Sequence, residues 1–298
     1  MKLATYKDGS RDGHLLVVSR DLSSAHYANG IAGRLQQVLD DWNFMSPQLE
    51  DLYTTLNQGK ARHAFAFDPA LCMAPLPRAY QWVVAAAYGT DPPAAGPLLT
   101  RAAGDDLHGP RDDAVFDIAD EGPETGIDCE PGLAVVSGDL PMGASPAQGL
   151  DAVRLLMLAN DWRLRTAATD PGPPLADRPA TAFSPVAVTP DELGPAWRGG
   201  RVHLELTIAR NGQPPQRLAT GPAMGWHFGQ WLALLARRRR LGAGTILGTG
   251  PVGLRAAAEN AESGWPPLQI GDRVCIEMKG GDGADLFGAI EQTVSDPA

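Results

Sequence analysis

Hydrophobic positions along most of this chain recur at two-residue spacing, interrupted by a few stretches where the spacing becomes helical. Residues 15–21 (LLVVSRD) follow the turn-rich KDGSRDG and predict a strand in a hairpin. Between residues 31 and 56 the period changes. Leu35, Val38, Leu39 and Trp42, then Leu49, Leu52, Tyr53 and Leu56, fall at helical intervals, with Ser46-Pro47 restarting the helix. This stripe reads as the core-facing side of a helical pair rather than a partner-binding face. Asn57-Gln58-Gly59 ends it, and Pro69, Pro75 and Pro77 mark an extended crossing. The boundary is therefore placed near residue 73, giving a small N-terminal domain (1–73) and a larger one (74–298).

The larger domain alternates short strands with capped helices. Ser145-Pro146-Ala147-Gln148 is a capping box with Pro at the first helical position, and it predicts a helix running through Leu155, Leu156 and Leu158 to Asn160. Thr189-Pro190-Asp191-Glu192 repeats that logic for a short helix. Val202, Leu204, Leu206 and Ile208 alternate with polar neighbours, and Asn211-Gly212 turns a hairpin. A second long helix is expected over 226–236. The Arg237 to Arg240 run that closes it suits the helix dipole and solvent better than RNA. Val274, Ile276 and Met278 form another alternating strand, closed by a glycine turn at 280–283. The predicted class is α+β and β-rich.

Composition sharpens this in three ways. Thirty-four glycines and 26 prolines beside 44% hydrophobic residues favour many short strands and turns over a helical bundle. A net charge of −10 repels phosphates, so no nucleic-acid partner is expected. No apolar run approaches the roughly 20 residues that span a bilayer, and MKLATYKDGSRDG lacks the apolar segment of a signal peptide. Neither feature points to a membrane. Cys72, Cys129 and Cys275 are far apart and odd in number, which fits a reducing cytoplasm and argues against a disulfide framework.

For chemistry, the strongest local candidates are carboxylates. Asp128 and Glu130 are two apart and share a strand face, and Asp161 follows an apolar segment read as helical, where it can point into a cleft. Among the histidines, His14, His26 and His63 lie in the small domain, His203 in an alternating strand and His227 inside the second helix. His108 alone sits in a Gly/Asp-rich loop, GDDLHGPRDD. No G-x-S-x-G occurs, and the glycines at 242–250 lack the strand and helix that a phosphate-binding loop requires.

Several segments together resemble the fumarylacetoacetate hydrolase family, in its two-domain bacterial form. They include MKLATYKDGSRDGHLLVVSRDLSSAHYANGIAGRLQQVLDDWNF, APLPRAYQW, GDLPMGASP, RLLMLAND, PATAFSPVAVTPDELG, WRGGRVHL, GAGTILGTG and LFGAIEQ. The resemblance implies a small N-terminal β domain, a C-terminal mixed β-roll, a homodimer, and Mg²⁺ or Ca²⁺ used to cleave, decarboxylate or isomerise β-diketo and related oxo acids. It also implies a ligand set: an Asp after APLPRAYQW, a Glu-x-Glu pair, and an Asp in an NDxxxR segment. Here the first position is Val84, the pair is Glu130-Pro131-Gly132, and Asp161 with Arg165 keeps the last. The helix carrying the family's catalytic His is replaced by Gly89-Thr90-Asp91-Pro92-Pro93. Arg178 stands about where a Lys is expected, and the loop after GTG is shortened.

Two expectations follow. In the first, a repurposed enzyme acts on a small carboxylated oxo acid. Glu130 and Asp161 then handle the proton, Arg165, Arg178 and His108 bind substrate, and Mg²⁺ or Ca²⁺ is held weakly or not at all by Glu130 and Asp161. In the second, a catalytically silent family member binds a metabolite or an active paralogue. Arg165 pairing with Asp161 is the structural alternative to substrate anchoring.

Overall fold

The computed structural model describes residues 1–88, 98–117, 126–165, 178–252 and 266–297, with Arg165 described by its backbone only. The first elements in chain order are β1 (Lys2–Tyr6), β2 (His14–Val18), β3 (Ser24–Tyr27), α1 (Leu35–Asp40), α2 (Trp42–Asn57), β4 (Phe65–Ala66) and β5 (Gln81–Ala85). Next come β6 (Leu99–Ala102), β7 (Ala114–Val115), β8 (Gly126–Ser137), α3 (Pro146–Asp151), β9 (Val153–Arg165), β10 (Thr181–Phe183) and β11 (Ala187–Val188). The chain ends with β12 (Trp197–Arg198), β13 (Arg201–Val202), β14 (Glu205–Arg210), β15 (Gln216–Ala219), α4 (Phe228–Leu235), β16 (Thr245–Gly248), β17 (Arg273–Met278) and β18 (Ile290–Ser295).

The fold is β-rich and mixed, with a small N-terminal unit joined to a β-roll. An 11-stranded sheet runs β4-β3-β2-β1-β11-β9-β8-β16-β5-β6, and β10 pairs with β9 beside β11. The N-terminal strands enter this sheet through β1, which pairs antiparallel with β11. Most pairs are antiparallel, but β16 and β5 are parallel. Three strands, β9, β8 and β16, lie between β10 and β5 in this order. Even so, the Trp82 indole N–H donates to Thr181 Oγ1 at 3.2 Å, and its ring meets Phe183 edge-on at 5.5 Å. That contact requires the sheet to curl back over one of its faces. Ala134, Val136, Leu155, Met157 and Ala159 are buried on the enclosed side.

The other face of β9 packs against a five-stranded sheet, β15-β14-β17-β18-β7. Leu156 and Leu158 are buried there. The Gln292 carboxamide on β18 accepts hydrogen bonds from Asn160 Nδ2 at 3.1 Å and Trp162 Nε1 at 3.0 Å, and donates to the Asp112 carbonyl at 2.8 Å. These are the polar groups that most need partners, because each is buried.

Three sequence expectations are corrected here. The helix opened by Ser145 stops at Asp151, and the residues expected to extend it to Asn160 form β9 instead. Both faces of β9 are buried, so Leu155, Leu156 and Leu158 form an apolar run without the alternation that marks a half-buried strand. The break in the first helical stretch falls at Asp41 (φ −133°, ψ 53°), and α2 passes through Pro47. The backbone bond lost there is to Asn43, which is exposed to water. His227 is the N-cap of α4 rather than an interior residue, with its backbone N–H bound to Gln230. Among the described residues no helix is long and apolar enough to cross a membrane.

Trp162 is fully buried, stacks edge-on with Phe116 at 5.6 Å and holds Gln292. Trp162→Ala is expected to cost about 3–5 kcal/mol of folding stability, read as a lowered urea midpoint at unchanged slope. A midpoint within error of the parent would show that the two sheets are not joined through this side chain.

Candidate active site

Strands β8 and β9 form the longest ladder of the fold, and their register sets Glu130 directly opposite Asp161. Both are in phase with the residues of the enclosed face: Gly132, Ala134 and Val136 on β8, and Ala159 and Met157 on β9. Two carboxylates therefore sit side by side at one end of the curled sheet. Side-chain exposure is 11% for Glu130 and 4% for Asp161, so neither is neutralised by bulk water.

The charge that faces them is Arg178, just before β10 and 15% exposed. Its Nη1 donates to Asp161 Oδ2 and lies 2.8 Å from Glu130 Oε2, an ion-pair contact without hydrogen-bond alignment. Arg163, 45% exposed, reaches Glu130 Oε1 at 3.4 Å from the outer side. Deeper in, Thr181 Oγ1 donates to Asp161 Oδ1 at 2.7 Å and accepts from the Trp82 indole. The Trp82–Thr181–Asp161 chain fixes the carboxylate plane, and the sheet's curl makes that chain possible.

Burial pushes the Asp161 carboxyl up to about 6, with Glu130 adding to the rise and Arg178 and Thr181 opposing it. The buried trio of two carboxylates and one guanidinium carries a net charge of −1. Asp161 accordingly keeps its proton to a higher pH than an ordinary aspartate does.

The structure thus brings three of the sequence candidates together: Glu130, Asp161 and Arg178. Asp161 lies within a strand, not after a helix. Arg178 is engaged with both carboxylates, so it is not a free anchor. The Arg165 side chain, and the segments 89–93 and 253–265 read above as replaced or shortened, lie outside the described residues. His108 does not join the pair. Its backbone N–H donates to the Thr181 carbonyl at 2.9 Å, and it accepts from the Phe183 N–H, a parallel bridge that matches it with Ala182. It therefore shares Ala182's face, opposite to that of Thr181 and Asp161, and its Nε2 lies 4.0 Å from Asp106. Sequence reasoning missed Arg163, Thr181 and Trp82. Arg163 is two residues beyond Asp161, and reading that segment as a strand puts both on one face. Thr181 and Trp82 have no local signal, because only the curl brings them in.

A divalent cation held between Glu130 and Asp161 needs further oxygen ligands and room. On the same enclosed face Val84 is buried and apolar, and Gly132 has no side chain. A Cβ built at Gly132 would stand 2.6 Å from the Gly250 carbonyl oxygen, so this backbone leaves no space for a larger residue there. The Arg178 guanidinium already spans the two carboxylates. Among the described residues no group of three or more His, Cys, Asp or Glu side chains converges. These residues do not fit a tightly held divalent cation.

A curled mixed sheet with a small N-terminal β unit and an acidic pair at the sheet's end defines a two-part β-roll protein. Comparison assigns its family. The chain matches the fumarylacetoacetase N-terminal domain 2 over residues 1–78 and the fumarylacetoacetate (FAA) hydrolase C-terminal domain over residues 90–295, and it belongs to the fumarylacetoacetate hydrolase family. No curated protein matches the sequence. Among solved structures, fumarylacetoacetate hydrolase from psychrophilic Exiguobacterium antarcticum is similar with 19% identity, full coverage of both chains and a TM-score of 0.72. Maleylpyruvate hydrolase from Sphingobium sp. SYK-6, solved with manganese(II) and pyruvate, gives 18%, full coverage of both chains and 0.70. A probable 2-hydroxyhepta-2,4-diene-1,7-dioate isomerase from Mycobacterium abscessus gives 18%, full coverage of both chains and 0.71. At these identities the likeness shows the fold.

The raised Asp161 affinity for protons has a sign that can be tested. The folded state holds this proton more tightly than an unfolded chain, whose Asp titrates near its ordinary value of 3.8. The contribution of Asp161 to stability is therefore expected to fall as pH rises from about 4 to about 6, by at most about 3 kcal/mol, and to stay at the lower level above that window. Urea melts of the parent and Asp161→Asn across this range should differ in slope, with the parent losing stability relative to the variant as pH rises. Parallel curves would remove the raised carboxyl from the account.

Proposed function

We propose that this protein acts on a small carboxylated oxo compound of the β-keto or diketo type. The reaction is a proton transfer, decarboxylation, cyclisation or C–C cleavage in which the Glu130–Asp161 pair handles the proton. The observation that carries this reading is the cross-strand pairing of two nearly buried carboxylates at the end of the sheet, in a chain of the fumarylacetoacetate hydrolase family. An acid whose proton affinity lies near 6 loads and releases a proton at neutral pH at little cost, as general acid–base catalysis needs. Thr181 and Arg178 hold the Asp161 carboxyl in one orientation, while Glu130 Oε2 has an ion-pair contact with Arg178 but no hydrogen bond, so a substrate proton would compete with that contact. Arg163 and Arg165 on the outer part of β9 are the groups assigned to receive a substrate carboxylate.

A second reading has its own support. Arg178 spans both carboxylates, and Val84 and Gly132 offer no oxygens, an arrangement that also suits a family member without catalysis that binds a metabolite or an active paralogue. Turnover assays and calorimetry on a panel of β-keto and diketo acids separate the two. Under the first reading a panel compound is converted, Glu130→Gln lowers kcat by about 10²–10⁴-fold, and Arg163→Ala raises KM. A compound that binds but is never converted supports the second. If the parent neither binds nor converts any member, the substrate class is wrong.

We further propose a cytoplasmic homodimer, with the division between the two parts near residue 73. The three described cysteines are free, in keeping with a reducing compartment. Light scattering at micromolar concentration is expected to give twice the 31.5 kDa chain mass; the mass of one chain would refute the dimer.

A further inference from the structure

We propose that Arg178 is the resident counter-ion of the Glu130–Asp161 pair, so that this chain carries a guanidinium where a divalent cation would otherwise bridge the two carboxylates, and that removing it creates a cation site. The inference deepens the reading above for the same site, but it rests on the ion-pair geometry and is tested by cation binding rather than turnover. Failure of one therefore leaves the other standing.

Three observations converge. The Arg178 Nη1 alone is in contact range of both acids, at 2.8 Å from Glu130 Oε2 and bonded to Asp161 Oδ2. A cation between them would have to occupy the volume this nitrogen fills. The pair also has positive charge beside it without a metal: Arg178 from within reaches both acids, and Arg163 from outside reaches Glu130 at 3.4 Å. Finally, the oxygens on hand are few. Asp161 Oδ1 accepts from Thr181, and the neighbouring positions on the enclosed face, Val84 and Gly132, contribute none.

Guanidinium and a divalent cation are not equivalent in this place. The metal is a compact charge that accepts oxygen lone pairs from any direction and exchanges its waters for substrate oxygens. A guanidinium offers planar N–H donors and no coordination position. Arg178 can orient the two carboxylates, but it cannot take a substrate oxygen into a ligand shell.

The test uses manganese(II), the ion held in the Sphingobium structure. The parent, Arg178→Ala, Arg178→Gln and the double variant Arg178→Ala/Glu130→Gln are titrated by calorimetry and by loss of the free-ion paramagnetic resonance signal. The parent is expected to show no saturable binding at submillimolar ion. Either single variant should gain affinity about a hundredfold, the consequence of leaving two buried carboxylates without their partner, and the double variant should lose that gain. A parent that binds one manganese(II) tightly, with binding abolished by Glu130→Gln, overturns the proposal. So do folded single variants with no gain. Should neither single variant fold, the parent's arginine side-chain ¹⁵N spectrum decides. Arg178 N–H protons protected from exchange, and unshifted by manganese(II), support the proposal; rapidly exchanging ones overturn it.

Discussion

The β8–β9 ladder is the constraint on which the rest of the molecule depends. Strand β9 is covered on one side by the curled sheet and on the other by the second sheet, so its backbone cannot slip by one residue without exchanging both cores. That fixed register puts Asp161 opposite Glu130 and Asn160 into the inter-sheet network with Gln292. One residue faces the site and its neighbour faces the core. The NDxxxR segment therefore combines a structural and a chemical role simply through strand alternation.

Placing two acids side by side under nearly complete burial has an electrostatic consequence. Their mutual repulsion and lost hydration must be met by positive charge or by a retained proton. Both solutions are present. Arg178 spans the pair, and burial raises the proton affinity of the deeper acid. The Trp82 indole, reaching from β5 through Thr181, then orients the carboxyl. The curl of the sheet is thus an element of the site as much as of the fold. A flat sheet of the same strand order would leave β5 and β10 too far apart for that hydrogen bond.

The sequence made some of this legible. Half-buried strands such as β14 and β17 announce themselves by alternation, because one face of each meets the core and the other meets water. Strand β9 does not, and the apolar run beginning at Leu155 was read as helix because a doubly buried strand and a buried helix share the same composition. The same misreading hid Arg163, whose place beside Asp161 follows only from a two-residue repeat. Glu130 could be singled out by its two-residue spacing from Asp128 and Asp161 by its place at the end of an apolar run, and the family resemblance added weight to both. Their adjacency, and the position of Arg178 between them, depend on strand pairing between residues more than 15 apart, which no local pattern encodes. His108, marked by its Gly/Asp-rich loop, is placed by a parallel bridge to Ala182 on the face of the sheet opposite to the acidic pair, a position no local pattern encodes.

Identity near 18% with structures sharing a TM-score near 0.7 shows how unevenly the fold constrains sequence. A doubly covered strand tolerates any apolar residue of suitable volume, so the core can diverge freely while its geometry persists. The acidic pair is less free. Once two carboxylates are buried in register, their charge must be met by a cation in contact with both or by a retained proton, and the nature of that cation shapes the chemistry. A metal brings open coordination positions and a Lewis acid. An arginine brings the same charge with a closed set of donors. Replacing one by the other can leave the scaffold intact and still change which substrate atoms the site engages.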